Sequence, residues 1–547
     1  MNKKILENYN KWLDDENISL ADKKILKNMS NEEIENAFNE ELSFGTAGIR
    51  GKMGLGTNKI NKYTIGKITV GLAKYINNNY KNGSVVIAYD TRNNSKKFAS
   101  DTALILNYYG IKTYLFKDYT STPELSFAVK YLNCNIGIVI TSSHNTKEYN
   151  GYKVYNHLGG QIVALECENI IKCINDIDSF KSIKKAPLNN ELFNYVDEAE
   201  HISFLKENKK VIINENLIKK YSKNIKITYS SLHGVGLKTV EELFNDLNIN
   251  YNVVKEQCTY DGNFPTIDIP NPEFIDTFKL AIKYAKESDS DIILLTDPDA
   301  DRLGVMYKDN NEYKIINGDL LGSLFAYYIV NNTNINNNSY MIRSIVTSNL
   351  IDKISNDYNI DIYEVLTGCK NIANKKEQLK DKNYIFGYEE SLGYMFNIDI
   401  NDKNGFSSLL CMTEILCYCK DNNISIKDYI DSIYKKYGYV YKSTLNFTFD
   451  DINYKEKINN IMEMFRNKKI VIKNDDYKII DYISEVGELK TNAIKYIFKD
   501  DSYILIRPSG TEPKIKIYIV VCEKSDLLAQ NKINEFQKNI NLVIKNI

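Results

Sequence analysis

Thr141-Ser142-Ser143-His144-Asn145 sets a small hydroxyl beside a histidine, with Lys153 a few residues further on. The apolar run Ile136 to Ile140 before it predicts a buried strand, so Ser143 falls in an exposed loop at a strand end. Ligands of α/β proteins bind in the crevice outside such ends. A serine is a weak phosphate acceptor unless a base or a metal activates it. A chance Ser-His pair in a polar loop would explain this stretch alone. It does not explain three further strand-end loops of matching chemistry.

The second loop is Thr296-Asp297-Pro298-Asp299-Ala300-Asp301-Arg302, after the compact apolar strand Asp291 to Leu295. Carboxylates at alternate positions can converge on one hard cation. A calcium EF-hand also begins D-x-D-x-D. Here, counting from Asp297, Arg302 stands where that loop needs Gly and Lys308 where it needs Glu. The flanks also read as strands, so magnesium with a phosphoryl oxygen is the better match. Three close carboxylates without a cation would repel one another.

The third loop, Gly387-Tyr388-Glu389-Glu390-Ser391-Leu392-Gly393, offers carboxylates and a hydroxyl to sugar hydroxyls. The fourth, Arg507-Pro508-Ser509-Gly510-Thr511-Glu512-Pro513, lies between strands Tyr503–Ile506 and Ile515–Val521. A guanidinium fork beside two hydroxyls suits a phosphate.

The four loops, in this order, resemble the phosphoserine, metal, sugar and phosphate loops of the α-D-phosphohexomutase family. The likeness runs from about Leu42 to the C-terminus. It takes in Phe44-Gly45-Thr46-Ala47-Gly48-Ile49-Arg50-Gly51, Ser121-Thr122-Pro123-Glu124, Leu232-His233-Gly234-Val235-Gly236 and Pro270-Asn271-Pro272-Glu273. With Thr367-Gly368-Cys369-Lys370, these are most similar to the phosphoglucomutase/phosphopentomutase branch. Four positions depart from the family pattern. Ser142 replaces a common Ala, Thr146 a Pro, Cys369 an aromatic and Asn371 a Trp. The last two fall where the family reads its sugar.

The resemblance implies an enzyme that carries phosphate on Ser143. Magnesium is held by Asp297, Asp299, Asp301 and a phosphoryl oxygen on Ser143. Arg50 and Arg302 stabilise the transferring group, and His144 and Lys153 are the candidate base and acid. Lys370, Glu389 and Ser391 bind the sugar. Arg507, Ser509, Gly510 and Thr511 hold the phosphate that does not react. The implied activity interconverts glucose 1-phosphate and glucose 6-phosphate through glucose 1,6-bisphosphate, which is both intermediate and activator. Mannose and pentose phosphates are alternatives on the same mechanism, and a bisphosphate synthase is a further one. A phosphatase has no use for the sugar and distal-phosphate loops, and a binding homologue would have lost the nucleophile or a ligand.

The implied fold is α/β, with four domains in a heart-shaped arrangement around one cleft: three related α/β domains and a C-terminal α+β domain. Expected boundaries are a helical extension over 1–40, then domains over 41–205, 206–312, 313–435 and 436–547. In the extension, Ile5, Trp12 and Leu13 fit one apolar face and Ser30-Asn31-Glu32-Glu33 fits a helix start. Ser182 to Asn194 reads as a lead into the last helix of the first α/β domain. A chain of 547 residues exceeds one core, which fits this division.

A net charge of −1 carries no basic excess for nucleic acid or an acidic membrane. No apolar run has the length of a membrane span, and residues Met1 to Glu16 lack a secretory apolar core, so a cytoplasmic enzyme of phosphorylated sugars is expected. Nine cysteines without a C-x-x-C pair read as free thiols. Of the histidines, His144 alone has a functional case. His157, His201 and His233 read as turn or surface residues.

Overall fold

The computed structural model describes residues 2–46, 48–177, 179–449, 454–467, 476–509 and 514–545. The chain divides into two compact units, Met1–Ile316 with Gly393–Tyr418, and Asn317–Leu392 with Cys419–Ile547.

The first unit opens with helices Lys3–Asp14, Leu20–Lys27 and Asn31–Phe38. Ser30 and Glu33 form the capping box that starts the third. Trp12 and Phe38 pack edge to face at 5.6 Å inside a small cluster with Tyr63.

Six strands follow: β1 (Ile49–Lys52), β2 (Ser84–Tyr89), β3 (Lys112–Leu115), β4 (Ile136–Ile140), β5 (Tyr149–Tyr155) and β6 (Phe193–Tyr195). Their sheet order is β1-β5-β4-β2-β3-β6. The β4-β2-β3-β6 portion is parallel, and β5 and β1 add antiparallel. Every residue of β4 is buried, because helices cover both faces of the parallel strands. The Ser182–Asn194 stretch does precede a helix, Glu198–Lys209, but it also supplies the edge strand β6, whose short half-buried run carries little periodic signal.

A second sheet holds β7 (Ile227–Ser230), β8 (Tyr251–Val253), β9 (Ile292–Thr296), β10 (Leu303–Asp309) and β11 (Glu312–Ile316), in the order β11-β10-β9-β7-β8. Its parallel part, β9-β7-β8, is the same strand–helix–strand pattern as the first sheet.

In the second unit β12 (Ser339–Ser344) pairs in parallel with β13 (Asp361–Val365) and β14 (Asn383–Glu389). Strand β15 (Gly393–Phe396) follows in the chain. The last domain is antiparallel, ordered β16 (Tyr439–Thr448), β20 (Lys514–Glu523), β19 (Tyr503–Pro508), β18 (Ile494–Phe498) and β17 (Tyr477–Asp481). Alternate residues of these strands pack on helices Tyr454–Arg466 and Asp526–Lys545. Three α/β domains and a C-terminal α+β domain are therefore present.

Candidate active site

Strand β4 ends at Ile140 and β9 at Thr296, and the two following loops meet within the first unit. Ser143 Oγ donates to Asp297 Oδ2 at 2.8 Å and lies 3.1 Å from Nδ1 of His144. Ser143 is only 2% exposed, which corrects its reading as an exposed loop hydroxyl. The loop turns inward because Ser143 adopts a left-handed conformation with φ 51°. Few non-glycine residues do so, and those that do cluster at functional sites.

A buried ionic frame holds this conformation. The Ser143 N–H donates to Thr141 Oγ1 at 2.8 Å, and that hydroxyl donates to Asp90 Oδ2 at 2.6 Å. Arg92 pairs with Asp90 at 3.3 Å and donates to the carbonyls of Ser143 and Asn145 at 2.5 Å each. Burial pulls the Arg92 guanidinium down to about 10. Asp90-Thr91-Arg92 follows β2, and its position at a strand end was the one sequence signal for this role. Arg50 donates to Asn145 Oδ1 at 2.7 Å, so it too is anchored to the Ser143 loop. A Cβ on Gly151 would come within 2.5 Å of the Thr141 carbonyl, so β5 can pass the loop this closely only with glycine there.

Asp297, Asp299 and Asp301 are buried, and one oxygen from each lies within 4.8 Å of the others. Oδ1 of Asp299 and Oδ1 of Asp301 accept no hydrogen bond from the described residues. Buried, orphaned carboxylate oxygens are the donor set that a hard divalent cation takes up. The residues present thus fit a metal ion. The repulsion expected among them is partly offset by lysines: Lys153 Nζ lies 2.8 Å from Asp299 Oδ2, and Lys403 Nζ 2.8 Å from Asp301 Oδ2. Thr122 Oγ1 also donates to Asp299 Oδ2 at 2.8 Å. Burial by itself would raise Asp299, but the Lys153 ammonium holds it below the usual carboxylate range. Asp297 is pushed well above that range by burial and by the charges of Asp301 and Asp299. Lys403 was not singled out from the sequence. It stands in Asn401-Asp402-Lys403-Asn404-Gly405, a polar lead into an apolar helix, which carries no signal of its own.

Arg302 donates its backbone N–H to Asp297 Oδ1 at 3.1 Å, and its guanidinium lies 3.4 Å from Glu273. Desolvation, with the cations Arg302 and Arg50 beside the ring, keeps the His144 imidazole well below its ordinary value. A neutral ring 3.1 Å from the hydroxyl can accept its proton.

In the second unit, Glu389 ends β14. Its carboxylate accepts from the Gly368 N–H at 2.8 Å and from the Cys369 thiol at 3.1 Å. Arg507 lies within β19, and its Nη1 donates to Thr367 Oγ1 at 2.9 Å. The third and fourth loops are thus tied through Thr367-Gly368-Cys369. Lys370, Ser391 and Ser509 are half-buried nearby in sequence to these groups, and Ser509 N–H closes the β19–β20 turn on the Lys514 carbonyl at 2.8 Å. Gly510 and Thr511 lie outside the described residues.

One histidine reading changes, and a second is refined. His201 is neither turn nor surface: it sits on the Glu198–Lys209 helix, and its two ring nitrogens each lie 2.6 Å from a carboxylate, Glu124 and Glu242. His233 is a turn residue, but fully buried, with Nε2 2.8 Å from Thr266 Oγ1. All nine cysteines are free. No helix among the described residues is long and apolar enough to cross a membrane.

Residues 41–181 match phosphoglucomutase/phosphomannomutase alpha/beta/alpha domain I, residues 199–310 domain II, residues 317–437 domain III and residues 461–531 the C-terminal domain. A phosphoglucomutase of Staphylococcus saprophyticus subsp. saprophyticus is 37% identical over 531 residues, covering 93% of this chain and 95% of its own. A phosphomannomutase of Mycoplasmoides pirum is 34% identical over 558 residues, covering 100% and 99%. Among solved structures, Paramecium pp63/parafusin, a phosphoglucomutase, shares the fold with TM-score 0.72 at 18% identity, covering 91% of this chain and 95% of that one. A Thermus thermophilus protein described as a phosphomannomutase does so with TM-score 0.71 at 19% identity, covering 92% and 99%. By its four matched domains and its whole-length relatives, the chain belongs to the phosphoglucomutase/phosphomannomutase family.

Proposed function

We propose that this protein is a phosphoglucomutase that interconverts glucose 1-phosphate and glucose 6-phosphate with Ser143 as the phosphate carrier. The observation that carries the reading is the Ser143 hydroxyl set between the neutral His144 ring and the carboxylate of Asp297. In the forward half-reaction the sugar's free hydroxyl attacks the phosphoryl group on Ser143. A new sugar O–P bond forms as the Ser143 O–P bond breaks, giving glucose 1,6-bisphosphate. The bisphosphate turns around and returns its other phosphate to Ser143.

His144 and Lys153 are the residues to which we assign proton transfer at the attacking and leaving oxygens. Arg50 and Arg302 offset the charge spread over the transferring group. Asp297, Asp299, Asp301 and the Ser143 phosphoryl oxygen are the ligands we assign to magnesium, whose charge would make Ser143 a better leaving group. Glu389, Ser391 and Lys370 are assigned to the sugar. Arg507 and Ser509, with Gly510 and Thr511, are assigned to the idle phosphate. The domain limits 1–40, 41–205, 206–312, 313–435 and 436–547 remain our proposed division. The nine free thiols accord with a cytoplasmic setting.

Whole-length relatives named phosphoglucomutase favour glucose, and the equally complete Mycoplasmoides pirum relative favours mannose as the second reading. A coupled assay on glucose 1-phosphate, mannose 1-phosphate and ribose 1-phosphate decides between them. Highest kcat/KM on glucose 1-phosphate is expected. Faster turnover of either other sugar removes the glucose reading, and no turnover of any removes the mutase reading.

A further inference from the structure

The segment Asp261-Gly262-Asn263-Phe264-Pro265, between β8 and β9, lies against the Asp90-Thr91-Arg92 turn that frames the Ser143 loop. A Cβ on Gly262 would meet the Asn93 nitrogen at 2.5 Å and the Thr91 carbonyl oxygen at 2.8 Å, so only glycine lets the two backbones approach this closely. Asn93 Nδ2 donates to Asn263 Oδ1 at 2.9 Å, and Thr91 Oγ1 donates to the His233 carbonyl at 2.9 Å. Phe264 is 2% exposed and has a φ of 49°, a left-handed conformation that a bulky side chain rarely adopts. Such a conformation persists where the surrounding contacts over-determine it. Here the contact is with Arg92, whose guanidinium carbon lies over the Phe264 ring, 4.9 Å from its centroid.

The donors of Arg92 explain why a ring belongs there. Nη1 donates to the carbonyls of Thr146 at 2.8 Å and Tyr149 at 3.1 Å, Nη2 donates to those of Ser143 and Asn145, and Nε faces Asp90 at 3.3 Å. A guanidinium carries all its N–H donors in one plane. These partners occupy that edge and leave the flat faces, to which no hydrogen bond can be made. The centre of an aromatic face is negative and attracts a cation, the more so when water is excluded. Arg92 is itself buried.

We propose that Phe264 is a positioning residue for phosphoryl transfer: its ring covers the face of Arg92 and fixes the guanidinium plane on which the Ser143 loop is hung. The inference rests on the reading of Ser143 as the phosphate carrier. A guanidinium without this cover is free to tilt, and the carbonyls of Ser143 and Asn145 tilt with it. Ser143 Oγ would then leave its place between His144 and Asp297, and rate falls steeply when a reacting group is displaced. The Phe264 ring is closed to solvent, so substrate binding should be spared.

The test replaces Phe264 in the full-length protein with 4-fluoro-, 3,5-difluoro- and 3,4,5-trifluorophenylalanine. Fluorine draws charge from the ring face in steps and changes its shape little. With the sugar 1-phosphate that the wild type turns over fastest, kcat should fall stepwise, by about fivefold at the trifluoro ring. KM should stay within about twofold, as for an interaction that serves only the chemical step. The rate at which glucose 1,6-bisphosphate phosphorylates Ser143, read by intact mass, should fall in parallel. Phe264→Leu, which keeps an apolar side chain and loses the ring, should lose at least as much kcat. A flat kcat across the fluorinated series would overturn the proposal, as would a fall that ignores the number of fluorines. A lowered Tm with unchanged kcat would make Phe264 a packing residue only and overturn it as well. Phosphate found on wild-type Ser143 alongside a flat series rejects this inference alone, whereas wild type that never carries phosphate there rejects the carrier reading and this inference with it.

Discussion

The hydroxyl of Ser143 and the carboxylate of Asp297 are joined by a 2.8 Å hydrogen bond across 154 positions of sequence. It ties the Ser143 loop after β4 to the acidic loop after β9. Phosphate on Ser143 would therefore sit directly against the carboxylate cluster, and the metal assignment and the serine assignment stand or fall together.

Ser143→Ala should abolish mutase activity, by about 10³-fold or more, since no covalent carrier remains. The side chain is small, so the Tm should change little. Intact-mass analysis should find one phosphate on a fraction of the wild type and none on the variant. Mapping that phosphate to the neighbouring buried Ser142 instead would displace the assignment.

Chelation should stop turnover, and magnesium should restore it. Asp299→Asn removes one charge from the cluster and should weaken magnesium binding, read as a raised half-saturating concentration. It also weakens the contacts with Lys153 and Thr122, so kcat should fall as well. Full turnover after exhaustive EDTA treatment would sink the metal reading.

Arg92→Met should be among the most destabilising single changes in the first unit. It leaves Asp90 buried and unpaired and frees the carbonyls of Ser143 and Asn145. Breaking a buried pair from one side costs about 3–5 kcal/mol. Urea unfolding should show that loss, and the phosphorylated fraction should drop. A loss below about 1 kcal/mol, within the range of exposed ion pairs, would argue that the frame is not holding the loop.

Arg507→Lys should weaken binding of substrate more than it slows the chemical step. A lysine cannot reproduce a planar fork that holds Thr367 and, on the proposed reading, a phosphate as well. KM should rise about tenfold, and more glucose 1,6-bisphosphate should escape into solution. Unchanged KM with unchanged leakage would remove Arg507 from the phosphate site.

His201 should make stability depend on pH. Burial by itself lowers its proton affinity, but Glu124 and Glu242 outweigh this and raise the imidazole above its ordinary value. The folded state therefore binds the proton more tightly than the unfolded chain. The stabilisation is complete below the unfolded value of about 6.5 and is lost as pH rises through the higher folded value. The Tm gap between wild type and His201→Gln should be widest near pH 5.5 and narrow toward pH 9. A gap that does not change over that interval would show that no proton is taken up there.

Local patterns in the sequence carried the loops a long way. Ile136–Ile140 and Asp291–Leu295 are short apolar runs that end in polar residues, and both are strands whose ends carry Ser143 and Asp297. Ser30 and Glu33 announced a helix start three residues apart, and the structure forms that capping box. Such signals are legible because side-chain periodicity and capping act within a few residues. The sequence alone, through the order of its four loops, also established the family. What it could not express is which strands become neighbours. Only the packed sheets set Lys153 and Lys403 against the acidic loop, buried Ser143, and placed Arg92 under its backbone. They also lifted His201 from a polar stretch into a bridge between two helices, leaving Glu200 beside it without a hydrogen-bond partner among the described residues. Burial and charge pairing depend on contacts between residues tens to hundreds of positions apart, and no local pattern encodes them.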